Sequence, residues 1–194
     1  MNLKYIRWKI KSRVCKPKGP TRGLYLVRLV KKFNLKVETV AEIGVWRGHT
    51  SIVLLEHIPS IKTYHLIDPW ESYEDYEQSG DRKAGTDLSI AKITCEDRLY
   101  RYTNKLIWRQ AFSADAAKQI GNSSLDLVFI DANHAYEYVK DDIRNWWPKV
   151  RKGGIIAGHD YEPKFPGVCK AVHEVFGDDF HLGLDAVWWR FKDE

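Results

Sequence analysis

The chain has 194 residues, 44% of them hydrophobic and 29% charged, which suits one globular core and leaves little room for a second. Its mean hydropathy is −0.45, and no apolar run reaches the ~20 residues of a membrane span, so no transmembrane segment is expected. The net charge of +5 is unevenly spread: residues 1–36 hold 12 Lys/Arg and no acid, whereas residues 37–194 hold 19 Lys/Arg against 26 acids, which disfavours a uniformly basic nucleic-acid binder.

This charge break divides the sequence into a basic arm over 1–36, expected to be helical, and an acidic domain over 37–194. In the arm, Leu3, Ile6 and Ile10 fall on one helical face, Lys16-Pro17-Lys18-Gly19-Pro20 is a break, and 22–33 reads as a helix. Strands and helices then alternate. Strands are expected over 40–44, 63–68, 105–109, 125–131 and 153–158, the last opened by a Gly-Gly turn. Helices are expected over 50–57, 88–101, 114–120, 136–150 and 168–176, with a polar loop over 69–87. Residues 180–184 and 186–191 read as two closing strands whose short connection requires antiparallel pairing. The pattern is that of a doubly wound α/β sheet.

Cys15, Cys95 and Cys169 are odd in number and scattered, showing neither a disulfide framework nor a Cys-x-x-Cys metal pair. With no signal-peptide apolar stretch near residue 1, a reducing, cytoplasmic setting is expected.

In open α/β sheets ligands bind beyond the carboxyl ends of the strands, so those positions carry the chemistry. After the first strand, Gly44 can let backbone approach a ligand, and Gly48 opens a helix whose N–H groups can receive a carboxylate. Trp46 stands where a dinucleotide fingerprint needs its second glycine, and there is no Walker loop; a nucleoside without phosphates fits better. Asp68 ends the second strand, where an acid can hold ribose hydroxyls. Asp131 and Asp160 end the fourth and fifth strands, which are neighbours in such a sheet. Two carboxylates converging there repel, and a divalent cation relieves the repulsion.

Ala-Glu-Ile-Gly-Val-Trp-Arg-Gly-His-Thr-Ser (41–51), Leu-Ile-Asp-Pro-Trp (66–70), Asp-Leu-Val-Phe-Ile-Asp-Ala-Asn-His-Ala-Tyr (126–136) and Lys-Gly-Gly-Ile-Ile-Ala-Gly-His-Asp-Tyr (152–161) together resemble the class I S-adenosylmethionine-dependent methyltransferases, in their small-molecule O-methyltransferase branch. The resemblance covers roughly residues 38–192 and leaves the arm unexplained. It implies a Rossmann-like seven-stranded sheet in the order 3-2-1-4-5-7-6 with the last strand antiparallel. It implies S-adenosylmethionine as cofactor, with Glu42 and Gly44 on the methionine side together with Gly48 and Asp131, Asp68 at the ribose, and Ser113 with Ala114 near the adenine. Trp70 covers the nucleoside or packs the loop base. It also implies a divalent cation, Mg²⁺ or similar, on Asp131 and Asp160. Tyr161 stands where related enzymes carry an Asn ligand, so the third ligand is left among His134, Asn133 and His159. His134 and His159 are the candidate bases.

The expected function is metal-assisted O-methylation of a small hydroxylated molecule, with residues 71–87 and 161–167 flanking the mouth. Two competing readings are a nucleic-acid or membrane-surface binder that uses the arm, and a fold-mate that binds the nucleoside but performs other chemistry. A homo-oligomer is compatible with all three.

Overall fold

The computed structural model describes residues 21–71 and 87–193; the readings over 2–14 and 16–20, and most of the loop over 69–87, lie outside these residues. The described elements run α1 (Thr21–Lys32), β1 (Thr39–Ile43), α2 (His49–His57), β2 (Thr63–Ile67), α3 (Leu88–Leu99), β3 (Leu106–Arg109), α4 (Ser113–Lys118), β4 (Leu125–Ile130), α5 (Tyr136–Trp146), β5 (Val150–Gly158), α6 (Pro166–Phe176), β6 (His181–Leu182) and β7 (Trp188–Phe191). The strands form one seven-stranded sheet in the order β3-β2-β1-β4-β5-β7-β6, the order expected. β1 to β5 pair in parallel, and β7 runs antiparallel to both β5 and β6.

All six residues of β4 are buried, because helices cover both faces of this central strand. Its register sets the site: Ile43 pairs with Ile130, and Ile130 with Gly158, so β1, β4 and β5 end level with one another. The two cores lie on opposite sheet faces. Tyr25, Leu54, Tyr64, Phe129 and Trp189 belong to one, and Ile143, Trp146, Val172 and Trp188 to the other. Trp188 and Trp189 divide between the cores because successive strand residues point to opposite faces.

Helix α1 shows why the charge break is not a packing boundary. Its Tyr25, Leu26, Leu29 and Val30 are buried in the same core as β1, β4 and β7, and Tyr25 Oη accepts a hydrogen bond of 3.1 Å from Trp189 Nε1. Helix α1 therefore contributes to the domain's core rather than standing apart from it. Lys31 and Lys32 are exposed in the last turn of this helix, where the helix dipole favours them.

Several boundaries differ from expectation. β5 begins at Val150, and Gly153-Gly154 lies within it. There the β4 register jumps from Leu125–Val150 to Leu127–Ile155, and Gly153 N–H donates to the Lys192 carbonyl. β6 keeps only two residues, since Gly183 N–H bonds the Val187 carbonyl and Asp185 and Ala186 take positive φ, which fixes a turn over 183–187. The helices expected to reach 101 and 150 end at Leu99 and Trp146 and tighten into 3₁₀ turns over Tyr100–Lys105 and Trp147–Lys149. Among the described residues no helix is long and apolar enough to cross a membrane.

Candidate active site

The ladder bonds of the central strands continue past their last paired residues. Gly44 N–H donates to the Ile67 carbonyl at 2.9 Å, Asp131 N–H to Ile43 at 2.8 Å, and His159 N–H to Ile130 at 3.0 Å. The residues just beyond β1, β4 and β5 are thus fixed by backbone. Gly44 has φ +84°, and a Cβ there would lie 2.2 Å from the Asp131 carbonyl oxygen. The glycine that the sequence offered to a ligand is required first by the close approach of two protein backbones. Gly48, at φ +68°, caps α2 in the left-handed conformation, and a Cβ there would lie 2.7 Å from Cys95 Sγ on α3.

Four titratable side chains meet at the ends of β4 and β5. Asp160 Oδ2 lies 2.6 Å from His134 Nε2, and Asp160 Oδ1 lies 2.9 Å from His159 Nδ1. The same His159 Nδ1 is 3.6 Å from Asp131 Oδ1. Asp160 holds φ +59°, an uncommon conformation for a residue with a side chain and of the kind that clusters at functional sites. Burial alone pushes the Asp160 carboxyl up, but the His134 and His159 hydrogen bonds outweigh it and hold the group well below the usual carboxylate range. Burial opposes the His159 charge, yet bonds to Asp131 and Asp160 prevail and raise this imidazole to about 9. In β1, fully buried Glu42 accepts from Ser51 Oγ at 2.5 Å and Tyr64 Oη at 2.6 Å, and burial pushes it up to about 7.

A cleft of about 300 Å³ opens over these groups. It brings together Glu42, Gly44, Asp131, His134, His159 and Asp160 of the residues expected from sequence. It also takes in Arg22, His49 and Thr50, which sequence reasoning missed. Glu162, Lys164 and Phe165 come from the segment 161–167 that the sequence placed at the mouth. The signal for Arg22 was absent: it sits in the arm, and only the packing of α1 against α2 carries it to the site. There its Nε lies 2.9 Å from Asp131 Oδ2 and donates to Thr50 Oγ1 at 3.2 Å.

The other expected residues do not line this cleft. Asp68 is buried, with Oδ2 accepting from Trp46 N–H and Oδ1 from Trp70 N–H, each at 2.8 Å, so it ties the β1–α2 turn to the end of β2. Trp70 is buried, donates from Nε1 to the Trp46 carbonyl at 2.9 Å and packs on Trp108 with ring centroids 5.6 Å apart; it packs the loop base. Ser113 Oγ donates to Asp142 and accepts from Trp146 Nε1 at 2.8 Å, while Ala114 is exposed beside it.

Burial pushes Asp142 up to about 7, only partly offset by the Ser113 bond. A raised folded-state value means that the folded protein binds this proton more tightly than the unfolded chain does. Stability is therefore lost as pH rises from the unfolded value through about 7. Asp142→Asn should gain on the parent between pH 4.5 and pH 8, by an amount on the order of 2–4 kcal/mol, measured by urea unfolding at both pH values. A difference that does not change with pH contradicts this.

Of the three candidates for a third metal ligand, Asn133 is engaged through Oδ1 with Ala135 N–H at 2.7 Å. His134 offers a nitrogen that lies, with oxygens of Asp131 and Asp160, in a group of atoms all within 4.8 Å of one another. Tyr161 donates its N–H to the Ala186 carbonyl and packs on Phe180 with ring centroids 5.3 Å apart.

A family model described as a methyltransferase domain matches residues 41–161, from β1 to the residue after Asp160. An uncharacterised protein of Sinorhizobium fredii, y4gI, is 29% identical over 180 residues that cover 86% of this chain; the chain spans 18% of that protein's length. Among solved structures, the O-methyltransferase NovP matches with a TM-score of 0.63 at 21% identity, over 87% of this chain and 76% of that one. TomG, an O-methyltransferase from Streptomyces achromogenes solved with S-adenosylmethionine, matches with a TM-score of 0.62 at 15% identity, over 89% of this chain and 80% of that one. At these identities the likeness establishes a shared fold.

Proposed function

Because the chain belongs to the methyltransferase-domain family, we propose that it transfers the methyl group of S-adenosylmethionine to a hydroxyl oxygen of a small molecule. The observation that carries this reading is the cleft itself. It lies at the carboxyl ends of β1, β4 and β5 and is lined by Glu42 and Gly44 together with the Asp131, His134, His159 and Asp160 group. That NovP and TomG are O-methyltransferases favours oxygen as the acceptor atom.

In this reading the methionine end of the cofactor lies in the cleft beside Glu42 and Gly44. The nucleoside extends toward Asp68, Trp70, Ser113 and Ala114, with the Asp68 carboxylate at the end of β2 as the acceptor for a ribose hydroxyl. The acceptor oxygen attacks the sulfonium methyl carbon in line. The carbon–sulfur bond breaks, its electron pair returns to sulfur, and neutral S-adenosylhomocysteine leaves. Without a cation the acceptor proton passes to His134, which faces Asp160 Oδ2 at 2.6 Å, while His159, held protonated by Asp131 and Asp160, supplies positive charge beside the acceptor oxygen. With a cation bound, His134 would be a ligand and the proton would leave to water. Positioning is the larger part of the catalysis, because both reactants enter with the reacting atoms already aligned.

Two carboxylates and an imidazole are a donor set that suits Mg²⁺ or Mn²⁺, so Asp131, His134 and Asp160 would hold a divalent cation. When bound, the ion supplies positive charge that favours the deprotonated acceptor oxygen. The free thiols Cys95 and Cys169 accord with a reducing, cytoplasmic setting.

The test is transfer of a labelled methyl group from S-adenosylmethionine into a panel of hydroxylated small molecules, with and without chelator. The expected result is label on oxygen, lost with chelator and restored by Mg²⁺ or Mn²⁺. Label found only on nitrogen or carbon overturns the O-methylation; full transfer in excess chelator removes the cation from the account.

A further inference from the structure

Arg22 occupies the position that most constrains the proposed cation site. It stands in the first turn of α1, outside the sheet, and its side chain crosses to the strand ends with 27% of its surface exposed. Its Nε faces Asp131 Oδ2 at 2.9 Å and is steadied by Thr50 Oγ1 at 3.2 Å. The other half of the cluster is paired differently: Asp160 meets His134 and His159. Among the described residues, Asp131 is therefore the carboxylate of the Asp131–His134–Asp160 group that faces an arginine.

A Mg²⁺ or Mn²⁺ ion must approach a carboxylate oxygen to about 2.0–2.6 Å. The guanidinium already holds one Asp131 oxygen, Oδ2, at 2.9 Å, and the other, Oδ1, lies 3.6 Å from His159 Nδ1. On either Asp131 oxygen, a divalent charge would lie within a few ångströms of the guanidinium in a partly buried cleft, where repulsion is poorly screened. Arginine stays charged at every working pH, so only movement of the side chain resolves the conflict.

We propose that Arg22 is the resident counter-cation of Asp131, and that a divalent cation binds at Asp131, His134 and Asp160 only by displacing the Arg22 guanidinium from Asp131 Oδ2. Helix α1 then sets the metal affinity of the site, and the displaced guanidinium remains at the cleft wall beside Thr50. This rests on the methyltransferase reading for the identity of the site, but its test does not use turnover.

Mn²⁺ is titrated into the full chain and the loss of the free-ion electron paramagnetic resonance signal is followed. Arg22→Met, which keeps the aliphatic stem and removes the charge, and Arg22→Gln, which keeps a donor for Thr50, should each bind Mn²⁺ at least tenfold tighter than the parent. Arg22→Lys, which keeps the charge, should stay within about threefold of it. Arg22→Met with Asp131→Asn should lose the gain. Unchanged or weaker binding in both neutral variants overturns the proposal, and so does a failure of every protein to bind Mn²⁺. S-adenosylhomocysteine titrations of the same preparations separate the two levels. If that ligand binds but Mn²⁺ affinity is indifferent to Arg22, the displacement fails and the methyltransferase reading stands. If the parent binds no S-adenosylhomocysteine, the methyltransferase reading fails.

Discussion

Replacing Asp160 with alanine should lower methyl transfer at least a hundredfold while leaving S-adenosylhomocysteine affinity within about threefold of the parent, by the usual worth of a positioned acid–base pair. Asp160 is the group through which the site is assembled. Its two oxygens hold His134 at 2.6 Å and His159 at 2.9 Å, and it supplies one of the three candidate cation ligands. Removing it frees both imidazoles and leaves Asp131 without the histidine bridge between the two carboxylates. The backbone permits a control. At φ +59° a residue with a Cβ is strained and glycine is not, so Asp160→Gly should be as inactive as Asp160→Ala yet melt at a higher temperature. Steady-state kinetics and calorimetry on both variants check this. Either variant retaining more than a tenth of the parent rate contradicts the assignment.

Gly44→Ala should be among the most destabilising single substitutions in the described chain, costing about 3 kcal/mol or more. Two effects coincide. The residue is left-handed at φ +84°, and the added Cβ would lie 2.2 Å from the Asp131 carbonyl oxygen and 2.7 Å from Ala132 Cα. Those neighbours are backbone, so relief requires β1 and β4 to part at their carboxyl ends, which also pulls Asp131 from the cleft. For a chain of this size the melting temperature should fall by about 6–12 °C. Gly48→Ala should cost less, since the atom it meets is the Cys95 sulfur of a side chain, and Gly121→Ala should be near neutral, having nothing within 4 Å. Differential scanning calorimetry of the three variants tests the ranking. A Gly44→Ala protein melting within 2 °C of the parent would show that the strand ends separate easily.

Much of the fold was legible because it is written in local pattern. The buried run of β4, the glycine and proline stops, and the short link between the closing strands each act over a few residues, and together they imply the sheet order. The strand-end acids were legible for the same reason: once a strand is placed, its last residue is placed. What was hidden depends on partners distant in sequence. The role of Gly44 is set by Asp131, and the backbone bonds that occupy Asp68 come from Trp46 and Trp70. Trp188 and Trp189 are plain as a strand pair, yet which core each enters follows from sheet orientation. Arg22 was hidden most completely. Its charge made it look like part of an appended arm, and only the apolar face of α1, buried against the sheet, shows that this helix belongs to the domain.

Cofactor binding is the claim on which the rest depends, and calorimetric titration of the 194-residue chain with S-adenosylhomocysteine tests it most directly. Saturable binding at one site in the micromolar range, weakened about fivefold or more by Asp68→Asn through loss of a ribose acceptor, is the predicted result. No saturable heat with millimolar S-adenosylhomocysteine, on protein shown to be folded, would contradict the account.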